Sequence, residues 1–471
     1  MTRFVLIALG CMSSQVAWGN PNHVTVKQDE AGYLLLMDGS PYFVRGMNWD
    51  YLPIGENYRY SLWNQPDEVI ETALRRELGL LREAGVNSIR QYPDIPPRWV
   101  EWIWVNYGIS TMINPLVGRY GTEIDGRFVP VTDYSDPTTR AVLRAQTLEV
   151  VEKFKDTPGV LMWLLGNENN YGLTWSGFEI QNLPEGERDA ARARYLYSLM
   201  GELVDAIHAA DPNHPVALAN GDLQYIDLIK EECPNLDIMG SNVYRGMTAR
   251  DLYQVVEDKL GVPFVYSEFG ADAYDAKAGR EDHLTQASYL RSQWMDIYNN
   301  AYGQGAGNAI GGYVFQWSDG WWKYKQEDNL DIHDSNASWS TGAYAEDFVE
   351  GQFNMNEEWF GITAKGPPDA QGQYELFPRA GFYVLRDAWR LDPYAPDTTA
   401  ETIKAHFAAI DPQVYDRSYK SALAIGQLDT LSKAYVSNVR VELSTFGTTD
   451  STATGQGKER FTVDHLESFY L

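Results

Sequence analysis

A (β/α)8 barrel is the fold this sequence predicts, with a hairpin before it and a small unit after it. Three observations predict it. Eight short, continuously apolar runs recur between residues 42 and 317, as parallel strands buried on both faces require. Amphipathic helical stretches lie between them, the alternation of a parallel α/β architecture. No glycine-rich phosphate turn follows the first run, which sets a doubly wound nucleotide-binding sheet aside.

The chain opens Met1-Thr2-Arg3, continues through an apolar run over 4–9 and reaches Ala17-Trp18-Gly19. One positive charge, a short apolar core and small residues predict an export signal over 1–19, cleaved after Gly19. A lipid anchor on Cys11, preceded by Gly10, is the second reading, because Ala8 and Leu9 fit that pattern poorly. Removal of the signal leaves Cys233 as the one thiol, so no internal disulfide forms. A secreted or periplasmic protein of this kind relies on a large core instead. Carboxylates flank Cys233, which reads as structural and not nucleophilic.

Residues 24–38 read as a hairpin. The strand runs are 42–48, 86–92, 108–114, 160–167, 214–220, 236–242, 262–268 and 310–317. Helical patterns cover 68–84, 139–155, 187–210, 222–233, 248–260, 283–302 and 378–391. The first carries Val69, Ala73, Leu74, Leu78 and Leu81 on one stripe, and Asp211-Pro212 stops the third. The barrel therefore spans 20–394. Residues 395–471 differ in character: two weaker helices near 402–410 and 421–434, a strand over 437–446, a Thr/Gly/Ser-rich loop and a last strand over 461–471. No segment after the signal has the roughly 20 apolar residues of a membrane span.

Lys and Arg total 38 against 65 Asp and Glu, a net charge of −27. Such a surface repels nucleic acid and anionic lipid, and favours a neutral ligand. The 15 Trp, 30 Tyr and 17 Phe suit sugar stacking as well as core filling. Seven scattered histidines make no metal-binding set at any strand end, and no cofactor motif is present.

Functional groups of a (β/α)8 barrel sit at the C-terminal ends of its strands. Here those ends carry Asn48 and Asp50, Arg90, Asn167 and Glu168, Asn242 and Tyr244, Glu268, and Trp317. Glu168 and Glu268 each end a strongly apolar strand, the fourth and the seventh, which face each other across a barrel. Glycoside cleavage needs such a pair: one acid to protonate the leaving oxygen, one carboxylate to attack or to activate water.

These segments carry a resemblance. Leu165-Gly166-Asn167-Glu168 and Ser267-Glu268-Phe269-Gly270 resemble the catalytic motifs of clan A glycoside hydrolases, and most closely the barrel domain of glycoside hydrolase family 2. The likeness covers roughly residues 34–393. It includes Gly85 to Arg90, Asp237 to Tyr244 and Gly311 to Trp317. It implies that Glu168 is the general acid/base and Glu268 the nucleophile of a retaining β-glycosidase. It further implies that Asn167 binds the sugar 2-hydroxyl, that Arg90 and Tyr244 hydrogen-bond the nucleophile, and that Trp317 floors the sugar site. Asn48, Asp50 and Asn242 complete the expected substrate-binding set.

The sequence also departs from that family. Its members usually carry β-sandwich domains ahead of the barrel, so their galactoside, mannoside and glucuronide assignments do not transfer. The segment Arg45 to Tyr51 is similar to β-1,3-glucanosyltransferases of the same clan, though their disulfides and lipid-anchor tail are absent. A transglycosylase with the same two glutamates is thus the alternative, and a non-catalytic carbohydrate-binding barrel the alternative of another class. The long connection over 318–377 contains Trp321 and Trp322, read as sugar platforms, and an acidic stretch over 328–334, read as a solvated loop.

Overall fold

All eight apolar runs form parallel strands of one ring. The computed structural model describes residues 20–91, 94–323, 325–433, 439–444 and 450–455, with side chains described as far as residue 424. The expected export signal, Cys11, Tyr92 and the last expected strand lie outside the described residues.

The barrel strands are one, Val44–Asn48; two, Ser88–Gln91; three, Ser110–Ile113; four, Val160–Leu165; six, Met239–Asn242; seven, Phe264–Phe269; and eight, Ala309–Val314. Strand five is split at Ala219 into Val216–Leu218, paired with strand four, and Asn220–Gly221, paired with strand six. A bridge between Ala217 and Ile238 spans the split. Strand eight pairs with strand one, Gly311 opposite Val44 and Val314 opposite Met47, and so closes the ring.

Helices Asp67–Glu83, Pro137–Phe154, Glu185–Ala210, Ile226–Glu232, Leu252–Lys259, His283–Tyr298 and Ala380–Ala388 occupy the expected places. An eighth, Pro97–Tyr107, follows strand two and is absent from the sequence reading. Its buried face is Trp99, Val100 and Ile103, but Trp102, Trp104 and Val105 place apolar residues on its other faces and blur the stripe. Pro97 at its first turn and left-handed Gly108 after its end are the signals that mark it.

The hairpin Val24–Asp29 with Gly32–Met37 forms as expected. Val24, Leu35 and Met37 join Met112, Met162, Leu164 and Ile310 in the apolar cluster of the barrel interior. Each such side chain, fully buried, contributes about 1.5–3 kcal/mol. Apolar packing thus fills the lower barrel and leaves the opposite end for polar groups. The helix Ala400–Ala408 lies on the helix His283–Tyr298, with Phe407 edge-on to Tyr298 at 5.2 Å. Asp416–Lys433 follows, and Val439–Ser444 pairs with Asp450–Gly455, a strand where the sequence reading places a loop. Buried Cys233 donates to the Tyr197 carbonyl, and burial before the nearby carboxylates pushes its thiol up to about 12.

Candidate active site

The turn after strand four positions the first glutamate. Gly166 takes φ 79°, and a Cβ there would stand 2.5 Å from Asn169 Oδ1. Asn169 Oδ1 accepts the Asn167 backbone N–H at 2.8 Å, and the Glu168 N–H donates to the Ala219 carbonyl at 2.7 Å. Glu168 itself sits at φ 54°, a left-handed conformation rare for a side chain of its size. The turn lifts its half-buried carboxyl over the barrel mouth.

Glu268, on strand seven, is held from two sides. Arg90 Nη1 donates to its Oε1 at 2.7 Å and the Tyr244 hydroxyl to its Oε2 at 3.3 Å. Arg90 is buried and spreads its donors widely. Nε and Nη2 reach Asn114 Oδ1 at 2.9 and 2.7 Å, Nη2 reaches Asn167 Oδ1 at 2.9 Å, and Nη1 also reaches the Ser267 carbonyl at 3.2 Å. A guanidinium fixed this firmly is a rigid counter-charge for the carboxylate. Burial and the charges of Glu268 and Glu168 hold the Tyr244 phenol well above its ordinary range, so it remains a donor.

Glu168 is set apart electrostatically. Burial, then the Glu268 charge, push it up to about 7, against a hydrogen bond from Asn242 and the charges of Arg119 and Arg90. One carboxyl thus keeps its proton near neutral pH while the other is paired with a cation, the division of labour that acid–base cleavage needs.

Most of the expected site residues converge here. Asn242 donates to Asn167 Oδ1 at 3.1 Å and accepts from Ser267 Oγ at 2.7 Å. Asn167 Nδ2 donates to the Tyr120 hydroxyl at 3.0 Å, so a sugar hydroxyl would share or replace that contact. Asn48 serves the scaffold: its Nδ2 donates to the Ser267 and Tyr313 carbonyls at 3.0 and 3.2 Å, and its Oδ1 accepts from Arg90. Asp50 is reached by solvent yet closely surrounded: burial raises its carboxyl, the Lys365 charge opposes the shift, and its own charge is felt by Asp94.

Trp317 does not floor the pocket. It is 0% exposed, packs on Phe382, and gives its indole N–H to Glu77 on the first helix. A ring without an exposed face has none to offer a sugar. Strand eight ends at Val314, and the half-buried ring that follows it is Phe315, which meets Phe360 as Tyr244 does. Trp321 is also committed: it stacks on His333 at 4.5 Å, and His333 stacks on Trp359 at 3.7 Å. Trp322 lies near exposed Tyr58, 6.2 Å between ring centres.

Sequence reasoning missed Asn114, Arg119, Tyr120 and Glu357. Asn114, at the end of strand three, carries the plain signal of a polar residue after an apolar run. Arg119 Nε donates to the Asn167 carbonyl at 2.8 Å. Tyr120 feels both Glu168 and Glu268 and stands 39% exposed as a pocket wall. Glu357, from the connection after strand eight, is pushed up by burial and the Glu268 charge, and Lys323 opposes the shift. Among the described residues no cluster of His, Cys, Asp and Glu is arranged to hold a metal, and no helix is long and apolar enough to cross a membrane.

Comparison with known proteins bears on the barrel as a whole. The family model described as glycosyl hydrolases family 2, TIM barrel domain, matches residues 68–357. A β-galactosidase of Vibrio cholerae is 28% identical over 141 residues, 30% of this chain and 12% of that protein. A β-galactosidase of Lactococcus lactis is 25% identical over 140 residues, 29% of this chain and 12% of that protein. This chain therefore spans about an eighth of the length of these curated relatives. A solved structure of a Bacteroides uniformis β-glucuronidase, covalently bound to cyclophellitol-6-carboxylate aziridine, superposes with a TM-score of 0.50 at 16% identity, over 78% of this chain and 37% of that one.

Proposed function

This chain belongs to glycosyl hydrolase family 2 through its TIM barrel domain, and on that premise we propose that it is a retaining β-glycoside hydrolase acting on β-linked carbohydrate. One observation carries the reading. Glu268 is paired with Arg90 at 2.7 Å, while Glu168, which feels its charge, is pushed up to about 7.

In the first step a Glu268 oxygen attacks the anomeric carbon. The bond to the leaving oxygen breaks, and Glu168 gives that oxygen its proton. In the second step Glu168, now a carboxylate, takes a proton from water, the hydroxide oxygen bonds the anomeric carbon, and the ester to Glu268 breaks. Tyr244 and Arg90 hold the Glu268 carboxylate in line, and Asn167 offers a hydrogen bond to the 2-hydroxyl. Export from the cytoplasm, expected from residues 1–19, is part of the proposal.

The test uses aryl β-glycosides and the matching 2-deoxy-2-fluoro sugars with good leaving groups. The first product is expected to keep the β configuration by NMR, and the fluorosugar to add one glycosyl mass to the peptide bearing Glu268. Glu268→Gln should abolish that adduct. Glu168→Gln should spare activated glycosides, which need little protonation, and lose the unactivated ones. An α product as the first anomer would refute double displacement. Equal loss by Glu168→Gln on both kinds of glycoside would refute its role as the acid.

A further inference from the structure

A cavity of about 530 Å3 is lined by Tyr244, Arg245, Arg250, Asp251, Thr341 and Ala343. Its walls come from the loop after strand six and the connection after strand eight. Tyr244 joins it to the pocket, since the same side chain reaches Glu268. The wall is braced. Arg245 grips Asp222 with Nε at 2.9 Å and Nη2 at 2.6 Å, and its Nη1 donates to the Ala249 carbonyl at 3.0 Å. Arg250, exposed and held at φ 60°, has no ion-pair partner among the described residues.

Tyr171 continues this surface toward Glu168. Its ring lies against Gly221, where a Cβ would fall 2.4 Å from two ring carbons, so only glycine admits it. Asn170 locks the two segments together: its Nδ2 donates to the Gly221 carbonyl at 3.0 Å and its Oδ1 accepts the Gly221 N–H at 2.8 Å. The ring is nevertheless 53% exposed. Charges that act on its hydroxyl are Glu168, Asp222 and Arg245, whereas Tyr120 feels both glutamates. Tyr171 thus links Glu168, whose carbonyl accepts its backbone N–H at 2.9 Å, to the Arg245 wall of the cavity, because its ring lies on Gly221 and the adjacent Asp222 grips Arg245.

We propose that Tyr171 and Arg250, with the cavity that Arg250 lines, form a subsite for a sugar on the leaving-group side of the scissile bond. This rests on the glycosidase reading, in which Glu168 protonates the leaving oxygen, so the departing residue must lie on the Glu168 side. The surface there joins a flat, low-entropy ring to charged and hydroxyl groups, which suits the apolar face and hydroxylated edge of a sugar. The substrate class is a β-linked disaccharide or longer chain.

The experiment compares pairs that share a non-reducing sugar: a 4-nitrophenyl β-glycoside and a β-linked disaccharide, for galactose, glucose, mannose, xylose and glucuronic acid. Tyr171→Ala and Arg250→Gln should each lose about tenfold or more in kcat/KM on the disaccharide and less than about threefold on the aryl glycoside. Tyr171→Phe, which keeps the ring, should restore most of the loss. Melting temperature of each variant controls for folding, and exposed Arg250 keeps the test open should Tyr171→Ala fold poorly. Equal losses on both members of a pair, or no loss on the disaccharide, would overturn the subsite while leaving the glycosidase intact. Wild-type protein that turns over neither member of any pair would overturn the glycosidase reading and the subsite together.

Discussion

Replacing Arg90 by glutamine tests the polar end of the barrel most severely. Arg90 is 2% exposed and Glu268 8% exposed. Removing the cation leaves a buried carboxylate with the Tyr244 hydroxyl at 3.3 Å and strands the Asn114 Oδ1 acceptor, while the Ser267 carbonyl keeps the Asn48 amide. Loss of one partner from a buried pair costs about 3–5 kcal/mol. Glu268→Gln is milder, because Arg90 keeps Asn114, Asn167 and the Ser267 carbonyl as acceptors, and costs about 1–3 kcal/mol. The double variant should then be more stable than the sum of the two losses implies, by about 1–3 kcal/mol. Urea unfolding of the four proteins, followed by tryptophan fluorescence and checked for reversibility, measures the cycle. An Arg90→Gln loss no larger than that of Glu268→Gln, or strict additivity in the double variant, would refute the view of Arg90 as the counter-charge on which Glu268 depends.

Further outcomes follow from the structure. In the proposed mechanism, cleavage of unactivated glycosides requires protonated Glu168, so kcat/KM should fall as pH rises through about 7. Arg119→Gln removes a charge that holds this group down, so the falling limb should move to higher pH; a limb that stays or moves lower would contradict the assignment. Trp321→Ala breaks the stack on His333 and should cost about 1–2 kcal/mol with similar losses on short and long substrates, whereas Trp322→Ala should leave the melting temperature nearly unchanged. A selective loss on long substrates in Trp321→Ala would restore that ring as a sugar platform.

The strand positions were legible because parallel strands buried on both faces must be continuously apolar. For the same reason the polar residue that ends each run stood out, as Glu168, Asn242 and Glu268 did. Tyr120 carried no such mark, since it sits in a loop and reaches the pocket only through the fold. Trp317 was misread for a geometric reason. The alternation that aims side chains inward holds only while the strand lasts, and strand eight stops at Val314. Beyond it the backbone turns, and Glu77 on the first helix draws the indole outward. A buried glutamate within a helix reads as a surface charge in sequence, so nothing announced that acceptor.

Glu77 takes indole N–H groups from Trp49, just past strand one, and from Trp317, just past strand eight. It therefore fastens the seam where the ring closes, and its two donors lie on opposite sides of most of the chain, with Trp317 240 residues from Glu77. During synthesis, strand one emerges early and waits for its second neighbour until strand eight is made. A chain halted before Ala309 keeps an open, apolar edge on strand one, the template for pairing with another nascent chain. The order of emergence from the ribosome thus sets when this protein becomes safe from its own copies, and the moment falls only after Ala309–Val314 has been made.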